Sequence, residues 1–207
     1  KVLLVCCFAV AIIGGSLGFG VYKGILDSAP SIDDIDATPT GYLTTVLDNQ
    51  GNEIATLVAS GSNRKNVTID EIPINLQHAF VALEDSRFYE HNGIDLTGII
   101  RAGVTGIASG GNFSQGASTI TQQLARNLYL TDTMQERSLS RKITEAYYAV
   151  ILEKNLSKSE ILEAYLNTVN FGSGYGVQTA AQAYFSKDIE DVTLFEAAAL
   201  AAMPQLP

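Results

Sequence analysis

Two adjacent carboxylates, Glu84 and Asp85, are the side chains of this sequence whose surroundings best suit proton transfer. They follow a run of apolar residues at helical spacing, which predicts a helix with one buried face. The stripe consists of Leu76, Ala79, Phe80 and Leu83. Acidic groups are unfavourable at a helix C-terminus, where the dipole is negative, so helix stability does not account for them. A carboxylate at the edge of an apolar wall is suited to general-base chemistry, which we expect of Glu84.

The acidic segment closes at Asn92-Gly93, a pair that favours the left-handed conformation in which many helices end. We therefore expect a helix over about residues 75–90, with Glu84 where buried helix meets loop. Asp85 lies about 100° further round that helix, so it is expected to orient the loop rather than to share the proton. A solvated acidic helix end is the alternative interpretation of both acids.

Basic side chains are scarce in this chain and concentrated in one region. Lys and Arg number 13 against 22 Asp and Glu, and the net charge of −9 argues against a nucleic acid partner, which requires a basic face. An anion must therefore be held by a local cluster, and one candidate cluster comprises Arg126, Arg137, Arg141 and Lys142. Glu145 lies three positions beyond Lys142, on the same helix face. A solvated basic face is the alternative for one or two of these cations.

A second block, Gly116-Ala-Ser-Thr-Ile-Thr-Gln-Gln-Leu-Ala-Arg126-Asn127, combines a glycine, a hydroxyl-rich turn, paired glutamines and a cation. With Glu84-Asp85-x-x-Phe88-x-x-His91-x-Gly93, it resembles the glycosyltransferase domain of peptidoglycan polymerases (glycosyltransferase family 51), the class A penicillin-binding proteins and monofunctional transglycosylases. Three later blocks follow in the family's order: Arg141-Lys142-x-x-Glu145, Lys158-x-x-Ile161-Leu162-x-x-Tyr165-Leu166-Asn167 and Ala197-Ala-x-Leu200-Ala201-x-x-Pro204-Gln205-x-Pro207. The resemblance covers roughly residues 75–207.

The resemblance implies a mainly α, lysozyme-like fold and an inverting glycosyltransferase. In the family, a growing glycan on undecaprenyl pyrophosphate is the donor and lipid II supplies the attacking hydroxyl. The product is a β-1,4-linked glycan strand, with undecaprenyl pyrophosphate released. Lipid II, the lipid-linked glycan chain and the membrane are therefore the expected partners, with other cell-wall synthesis proteins as further candidates.

Positions that match the family imply a role for each residue of these blocks. Glu84 is the expected base for the acceptor's 4-hydroxyl, and Glu145 is the expected second catalytic carboxylate, which positions the cations or steadies charge on the donor sugar. The expected substrate-binding residues are Ser118, Thr119, Gln122, Gln123, Arg126, Arg137, Arg141 and Lys142. The expected structural supports are Asp85, Phe88, His91, Gly93 and Asn167. No obligatory cofactor is expected, and a divalent cation, Mg or Mn, is an optional partner of Glu145.

Two details refine these expectations. Gln122 and Gln123 face different ways on a helix, so at most one of them is expected in the substrate groove. Arg126 occupies a position where the family often has Lys. The positive charge is kept, but a planar guanidinium group replaces a compact ammonium group.

The N-terminal segment predicts a membrane anchor. Residues 2–22 contain no charged side chain, and about 20 such residues cross a bilayer core. Neighbouring Cys6 and Cys7 lie inside this run, where they are interpreted as small apolar residues of a membrane helix rather than as a disulfide or a lipid attachment site. We expect a single-pass protein of the bacterial cell membrane with its catalytic domain outside the cytoplasm.

The remaining pattern predicts three parts: an anchor over 1–23, a tether with a β-hairpin over 24–69, and the glycosyltransferase domain over 70–207, which is expected to continue further. The hairpin strands are expected at 42–47 and 53–58 around a turn at 48–51. The expected helices span about 75–90, 95–108, 118–130, 134–154, 158–168, 176–185 and 193–203. Capping boxes predict three of their starts, at Thr133/Glu136, Ser157/Glu160 and Thr193/Glu196. The apolar, glycine-containing stretch over 94–116 is expected to contact lipid.

Two other functions are alternatives to glycan synthesis. A lysozyme-like hydrolase also uses an essential glutamate in a groove, but it has no pyrophosphate to stabilise and so no need for the cation cluster. A non-catalytic membrane scaffold leaves the placement of Glu84 and Glu145 without a cause. Ser62-x-x-Lys65 matches the spacing of a penicillin-reactive serine, but no Lys-Thr-Gly partner follows, so the match is attributed to chance.

Overall fold

The computed structural model describes residues 20, 23–24, 44–57, 64–108, 118–131 and 138–205. This part of the chain contains a two-stranded sheet and seven α-helices. The strands are β1 (Thr44–Leu47) and β2 (Glu53–Leu57). The helices are α1 (Ile74–Glu84), α2 (Leu96–Ala108), α3 (Ile120–Tyr129), α4 (Leu139–Asn155), α5 (Lys158–Thr168), α6 (Val177–Phe185) and α7 (Leu194–Ala202), with short 3-10 turns at Ile69–Glu71, Ile189–Asp191 and Met203–Gln205. The mainly helical fold class is confirmed.

The β-hairpin forms at the predicted place. β1 and β2 pair antiparallel, with Thr44 opposite Leu57 and a register shift after Val46. Asp48 closes the turn, because its Oδ1 accepts hydrogen bonds from the backbone N–H groups of Gln50 and Asn52, each at 2.8 Å. A hydrogen bond from the Asn52 side chain to Oδ2, together with these backbone bonds, holds the pKa of Asp48 below its usual value.

The helical core is centred on α3, which packs against both α4 and α5, while α1 packs against α7. The buried faces of these helices interlock through aromatic rings. Phe80 of α1 meets Tyr165 of α5 edge to face, with 6.1 Å between ring centroids. Tyr148 of α4 is fully buried and packs against Tyr129 of α3. Because α3 is enclosed on two sides, its first turn is held firmly against its neighbours.

Side-chain caps fix the starts of several helices. The predicted capping boxes Ser157/Glu160 and Thr193/Glu196 are both present. In the first of these boxes, hydrogen bonds from the Ser157 hydroxyl and then from the Ser157 backbone N–H hold the pKa of Glu160 below its usual value. The predicted Thr133/Glu136 box lies outside the described residues.

Two predicted helix boundaries are wrong. α1 ends at Glu84 rather than near residue 90, because Asp85 leaves the helix with an extended φ of −158°. The predicted apolar stripe is therefore incomplete: Leu76 and Phe80 are buried, but Leu83 is 48% exposed. α4 begins at Leu139 rather than at residue 134, because Ser138 is extended and caps the helix by accepting from Arg141 N.

Gly93 does not end α1 but occupies a turn further along the chain. Its φ of +89° lies in the left-handed region. A Cβ at this position would lie 2.8 Å from the carbonyl carbon and oxygen of Ala149 on α4. Glycine is needed here for both its φ and the close approach of two backbones.

The predicted membrane anchor falls outside the described residues except at Gly20 and Lys23, and so do Cys6, Cys7 and Ser62. Among the helices that the structure does describe, none combines the length and apolar character needed to cross a bilayer. α2 nevertheless exposes a row of large apolar side chains, Leu96, Ile99, Ile100 and Val104.

Candidate active site

Glu84 lies at the last residue of α1, where helix gives way to loop, as expected from the sequence. Its side chain is partly buried and turns toward α3. There Oε2 accepts a hydrogen bond of 2.8 Å from Nε2 of Gln123. The candidate base is thus tied to a second helix rather than left in solvent.

Gln123 is in turn bound to the core. Its Oε1 accepts a hydrogen bond of 3.2 Å from the hydroxyl of Tyr165 on α5. Tyr165 is 1% exposed, and burial, reinforced by the negative charge of Glu84, raises the pKa of its phenol far above the usual value. The phenol therefore stays protonated and can act as a donor. The sequence assigned Gln123 to substrate and Tyr165 to packing, so this chain of contacts was missed.

Asp85 joins the end of α1 to the start of α3. The residue is buried, and its Oδ2 accepts from Ile120 N at 3.0 Å and contacts His91 Nε2 at 2.8 Å. A carboxylate at this point also meets the positive end of the α3 dipole. The expectation that Asp85 orients the loop agrees with these contacts.

His91 uses both ring nitrogens within the loop. Its Nδ1 accepts from Gly93 N at 3.2 Å, so Nδ1 carries no proton in this arrangement. Nε2 is then the ring nitrogen that donates a hydrogen bond to Asp85 Oδ2. The ring therefore joins two parts of the loop, and its role as a structural support stays a prediction.

Thr119 and Gln122 form a further capping box at the start of α3. Thr119 Oγ1 accepts from Gln122 N at 3.1 Å, and Gln122 Oε1 accepts from Thr119 N at 3.0 Å. Thr119 Oγ1 also donates to Gly93 O at 2.6 Å. The threonine-x-x-glutamine spacing was a signal for this cap. The predicted substrate contact of both side chains stays a prediction.

Glu145 is the centre of a second charged group. Its side chain is 1% exposed and pairs with Arg141 through Oε1 and with Lys142 Nζ through Oε2 at 2.7 Å. Lys142 Nζ also donates to Ser118 Oγ at 2.9 Å. Arg141 is 9% exposed, whereas Lys142 is 42% exposed. The arginine therefore neutralises the buried acid, and the lysine presents charge to solvent.

The predicted cation cluster is only partly assembled in the described residues. Arg141 and Lys142 converge on Glu145, but Arg126 lies in the last turn of α3. Its positive charge opposes the upward shift of the Tyr165 pKa. Arg137 lies outside the described residues.

The N-terminal end of α3 contacts both charged groups. Ser118, two residues before the helix, binds Lys142 of α4, and Gln123 binds Glu84 of α1. The candidate proton acceptor and the cationic group are therefore both held by one short segment, residues 118–123.

Phe88 and Asn167 have the supporting positions expected of them. Phe88 is fully buried. Asn167 is also buried, and it fastens the segment before α1 by accepting from Val67 N at 3.0 Å and donating to Val67 O at 2.8 Å. Both residues hold surrounding chain in place.

A partly buried brace formed by Lys158 and Glu153 was not foreseen. Lys158 Nζ contacts Glu153 Oε1 and donates to His91 O, each at 2.7 Å, and lies 4.3 Å from the centre of the Phe88 ring. Glu153 Oε1 also accepts from Thr121 Oγ1 at 2.6 Å. Lys158 was recognised as part of the fourth block, but its contacts with His91 and Phe88 join parts of the chain that are distant in sequence.

A cleft of about 430 Å³ opens beside the loop that follows Glu84. An unforeseen ion pair between Arg87 and Asp95 lies on its wall. Burial raises the pKa of Asp95, but hydrogen bonds from Arg87 and Gly98 N outweigh it and leave that pKa below its usual value. The lining residues are Arg87, Glu90, His91, Asn92, Ile94, Asp95, Leu96, Thr97 and Val150.

The surroundings of Glu145 do not fit a divalent cation. Arg141 and Lys142 occupy its two oxygens, so a metal would have to displace a buried ion pair. Within the described ranges, His, Cys, Asp and Glu side chains form no group of three that could hold a metal. The optional Mg or Mn stays a prediction.

Comparison with known proteins adds independent information. The family model described as Transglycosylase matches residues 50–207. The chain is 42% identical over 208 residues to penicillin-binding protein 1A of Escherichia coli (strain K12), covering 100% of this chain and 23% of that protein. It is 46% identical over 193 residues to penicillin-binding protein 1A of Clostridium perfringens (strain 13 / Type A), covering 91% of this chain and 28% of that protein.

A third relative has a different name. The chain is 44% identical over 184 residues to penicillin-binding protein 4 of Bacillus subtilis (strain 168), covering 88% of this chain and 28% of that protein. The chain therefore spans about a quarter of the length of these relatives.

Proposed function

This chain belongs to the transglycosylase family, and we propose from that premise that it polymerises lipid II into β-1,4-linked glycan strands with release of undecaprenyl pyrophosphate. The observation that carries the proposal is that two charged groups, one from α1 and one from α4, are bound by the same short segment at the start of α3. Glu84 is held by Gln123 at one end, and Lys142 is held by Ser118 and Glu145 at the other.

The reaction is a single displacement at the anomeric carbon of the donor sugar. The 4-hydroxyl oxygen of lipid II attacks this carbon while the bond from the carbon to the pyrophosphate oxygen breaks. The electron pair of the broken bond leaves with the pyrophosphate, and Glu84 takes the hydroxyl proton. Attack opposite the leaving group inverts the configuration. A fixed base and a fixed cation suit this step, because both reacting ends need to be positioned.

Lys142 is the group we assign to the departing pyrophosphate. It is the more exposed of the two cations on Glu145. Positive charge placed where negative charge develops lowers the barrier to its departure. Glu145 positions the lysine by pairing with its Nζ. Arg141 supplies the second cation that this buried acid requires. Arg126 and Arg137 are proposed to contact the same lipid-linked diphosphates.

Ser118, Thr119, Gln122 and Gln123 are proposed to line the sugar groove. Ser118 is the best placed for a direct contact, because its hydroxyl already lies 2.9 Å from Lys142 Nζ. Thr119 and Gln122 shape the groove through the cap, and Gln123 acts on Glu84. A divalent cation is not required for any of these contacts.

Membrane attachment fits a lipid-linked substrate. The exposed apolar row on α2, which starts just beyond the loop after Glu84, is proposed to contact the bilayer. We propose a single-pass protein of the bacterial cell membrane with the domain outside the cytoplasm, working beside other cell-wall synthesis proteins.

Transfer is favoured over hydrolysis by one specific feature. A glycan hydrolase has no pyrophosphate to neutralise, so it gives no reason for the cationic group around Glu145. A scaffold gives no reason for a carboxylate fixed at the end of α1.

The test is glycan synthesis from purified lipid II in detergent, comparing the wild-type chain with Glu84→Gln and Glu190→Gln. Loss of a general base is expected to lower the rate by about 10²- to 10⁴-fold. Glu190 is an exposed acid in the 3-10 turn before α7, and its substitution is expected to leave the rate unchanged. Polymer made by Glu84→Gln at the wild-type rate, or cleavage of glycan by the wild type in place of synthesis, contradicts the proposal.

A further inference from the structure

We propose that Tyr165 and Gln123 are positioning residues for Glu84, acting as a directed hydrogen-bond chain from the core to the base. The inference rests on the proposed function, because that function makes Glu84 the proton acceptor. The chain runs from the Tyr165 hydroxyl to Gln123 Oε1 over 3.2 Å and from Gln123 Nε2 to Glu84 Oε2 over 2.8 Å.

The chemistry of the three groups sets the direction of the chain. An ionised carboxylate only accepts hydrogen bonds, so Gln123 must turn its NH₂ group to Glu84. Its carbonyl oxygen then faces Tyr165, whose hydroxyl must donate. A reversed amide would place an oxygen against the carboxylate and leave the phenol facing a donor.

Burial keeps the Tyr165 hydroxyl protonated and fixed in position as the donor of this chain. Tyr165 is 1% exposed, and its raised pKa keeps the phenol protonated throughout the neutral range. Its ring packs edge to face on Phe80, which is on the same helix as Glu84 and one turn before it. The phenol is therefore fixed relative to the helix that carries the base.

One consequence for catalysis follows. The hydrogen bond from Gln123 fixes the orientation of the Glu84 carboxylate relative to the start of α3, where Ser118 binds Lys142. Removing the Tyr165 hydroxyl should therefore disturb the orientation of the base, although the tyrosine itself is buried in the core.

The first experiment measures the pH dependence of kcat/KM for lipid II polymerisation. Tyr165→Phe is expected to lower kcat roughly tenfold, the value of one lost hydrogen bond, with little change in KM. Gln123→Glu keeps the shape of the side chain but replaces the donor with a second acid, so the acidic limb of its profile is expected to move to higher pH. Tyr184→Phe is the matched control, because that hydroxyl donates to Phe171 O away from the site.

The second experiment is a double-mutant cycle. If Tyr165 acts through Gln123, Tyr165→Phe should cost about tenfold in the wild-type background and less than twofold in a Gln123→Ala background. A purely structural tyrosine would impose the same loss in both backgrounds. Circular dichroism melting of each variant checks that the proteins are folded.

The outcomes separate this inference from the proposed function. A wild type that makes no polymer overturns the proposed function. In that case the double-mutant cycle is measured on the free energy of unfolding in denaturant. Additive effects of the Tyr165 and Gln123 substitutions on that free energy contradict the hydrogen-bond chain. With an active wild type, a Tyr165→Phe protein with the wild-type kcat and pH profile overturns the inference. Equal losses from Tyr165→Phe in both backgrounds also overturn it.

Discussion

Lys142 Nζ lies 2.7 Å from Glu145 Oε2, yet the acid is 1% exposed and the lysine 42%. The pair therefore crosses the boundary between the core and the solvent. Because the two residues are three positions apart on α4, the helix itself fixes their relation. Their unequal exposure predicts different results when each partner is changed.

Replacing Lys142 should damage activity more than stability. Lys142→Gln removes the exposed charge assigned to the pyrophosphate, and loss of one such electrostatic contact costs about 10²- to 10³-fold in rate. The free energy of unfolding should change less than the activity, since Glu145 keeps its buried partner Arg141 when Lys142 is replaced. Polymerisation rates and urea titration measure the two effects. Lys154→Gln, an exposed lysine on the same helix, should change neither, and an equal loss of rate there would contradict the assignment.

Replacing Glu145 should damage stability. Glu145→Gln leaves the 9% exposed Arg141 without its buried countercharge, and breaking a buried pair costs about 3–5 kcal/mol. Urea titration monitored by circular dichroism gives the free energy of unfolding. Glu190→Gln, at an exposed glutamate, should leave it unchanged. A Glu145→Gln protein as stable as the wild type would show that the pair is not important for the fold.

Substitution of Gly93 should be costly for two separable reasons. An alanine would meet the strain of φ +89° and the backbone of Ala149 at 2.8 Å. Gly172 has a similar φ of +79°, but its nearest atom is the Tyr184 hydroxyl at 4.0 Å. Gly172→Ala should therefore cost about 1–2 kcal/mol for strain alone, and Gly93→Ala clearly more. Equal losses in thermal melts of the two variants would argue against the close contact.

Glu196 should make stability depend on acidic pH. A hydrogen bond from Lys187, with further bonds from Thr193, lowers the pKa of Glu196 from 4.5 to about 2 in the folded protein. The unfolded chain binds this proton first as pH falls, so the stabilisation is complete above pH 4.5 and is lost toward pH 2. The melting temperatures of wild type and Glu196→Gln should differ at pH 7 and converge near pH 2. A constant difference across this range would exclude the linkage.

Much of the site follows from local sequence. Glu145 shares a helix face with Lys142, because helical spacing alone fixes that relation. The Ser157/Glu160 cap needed only its own four residues. Such contacts are encoded within one or two turns of chain.

Side-chain contacts between distant parts of the sequence mark the limit of that reasoning. Gln123 resembled a substrate ligand and Tyr165 a packing residue, but Gln123 contacts Glu84 across 39 positions of sequence and Tyr165 contacts Gln123 across 42. The early end of α1 has the same origin, since Asp85 leaves the helix to meet Ile120 N, 35 residues away.

The sequence by itself determined the family blocks, the helical fold class and the acids that serve as candidate catalytic groups. Only the tertiary structure decided how those groups are held, through the packing of α3 against α4 and α5. Helical periodicity reports which side of an element is apolar, whereas the partner of a polar side chain depends on which helix packs there.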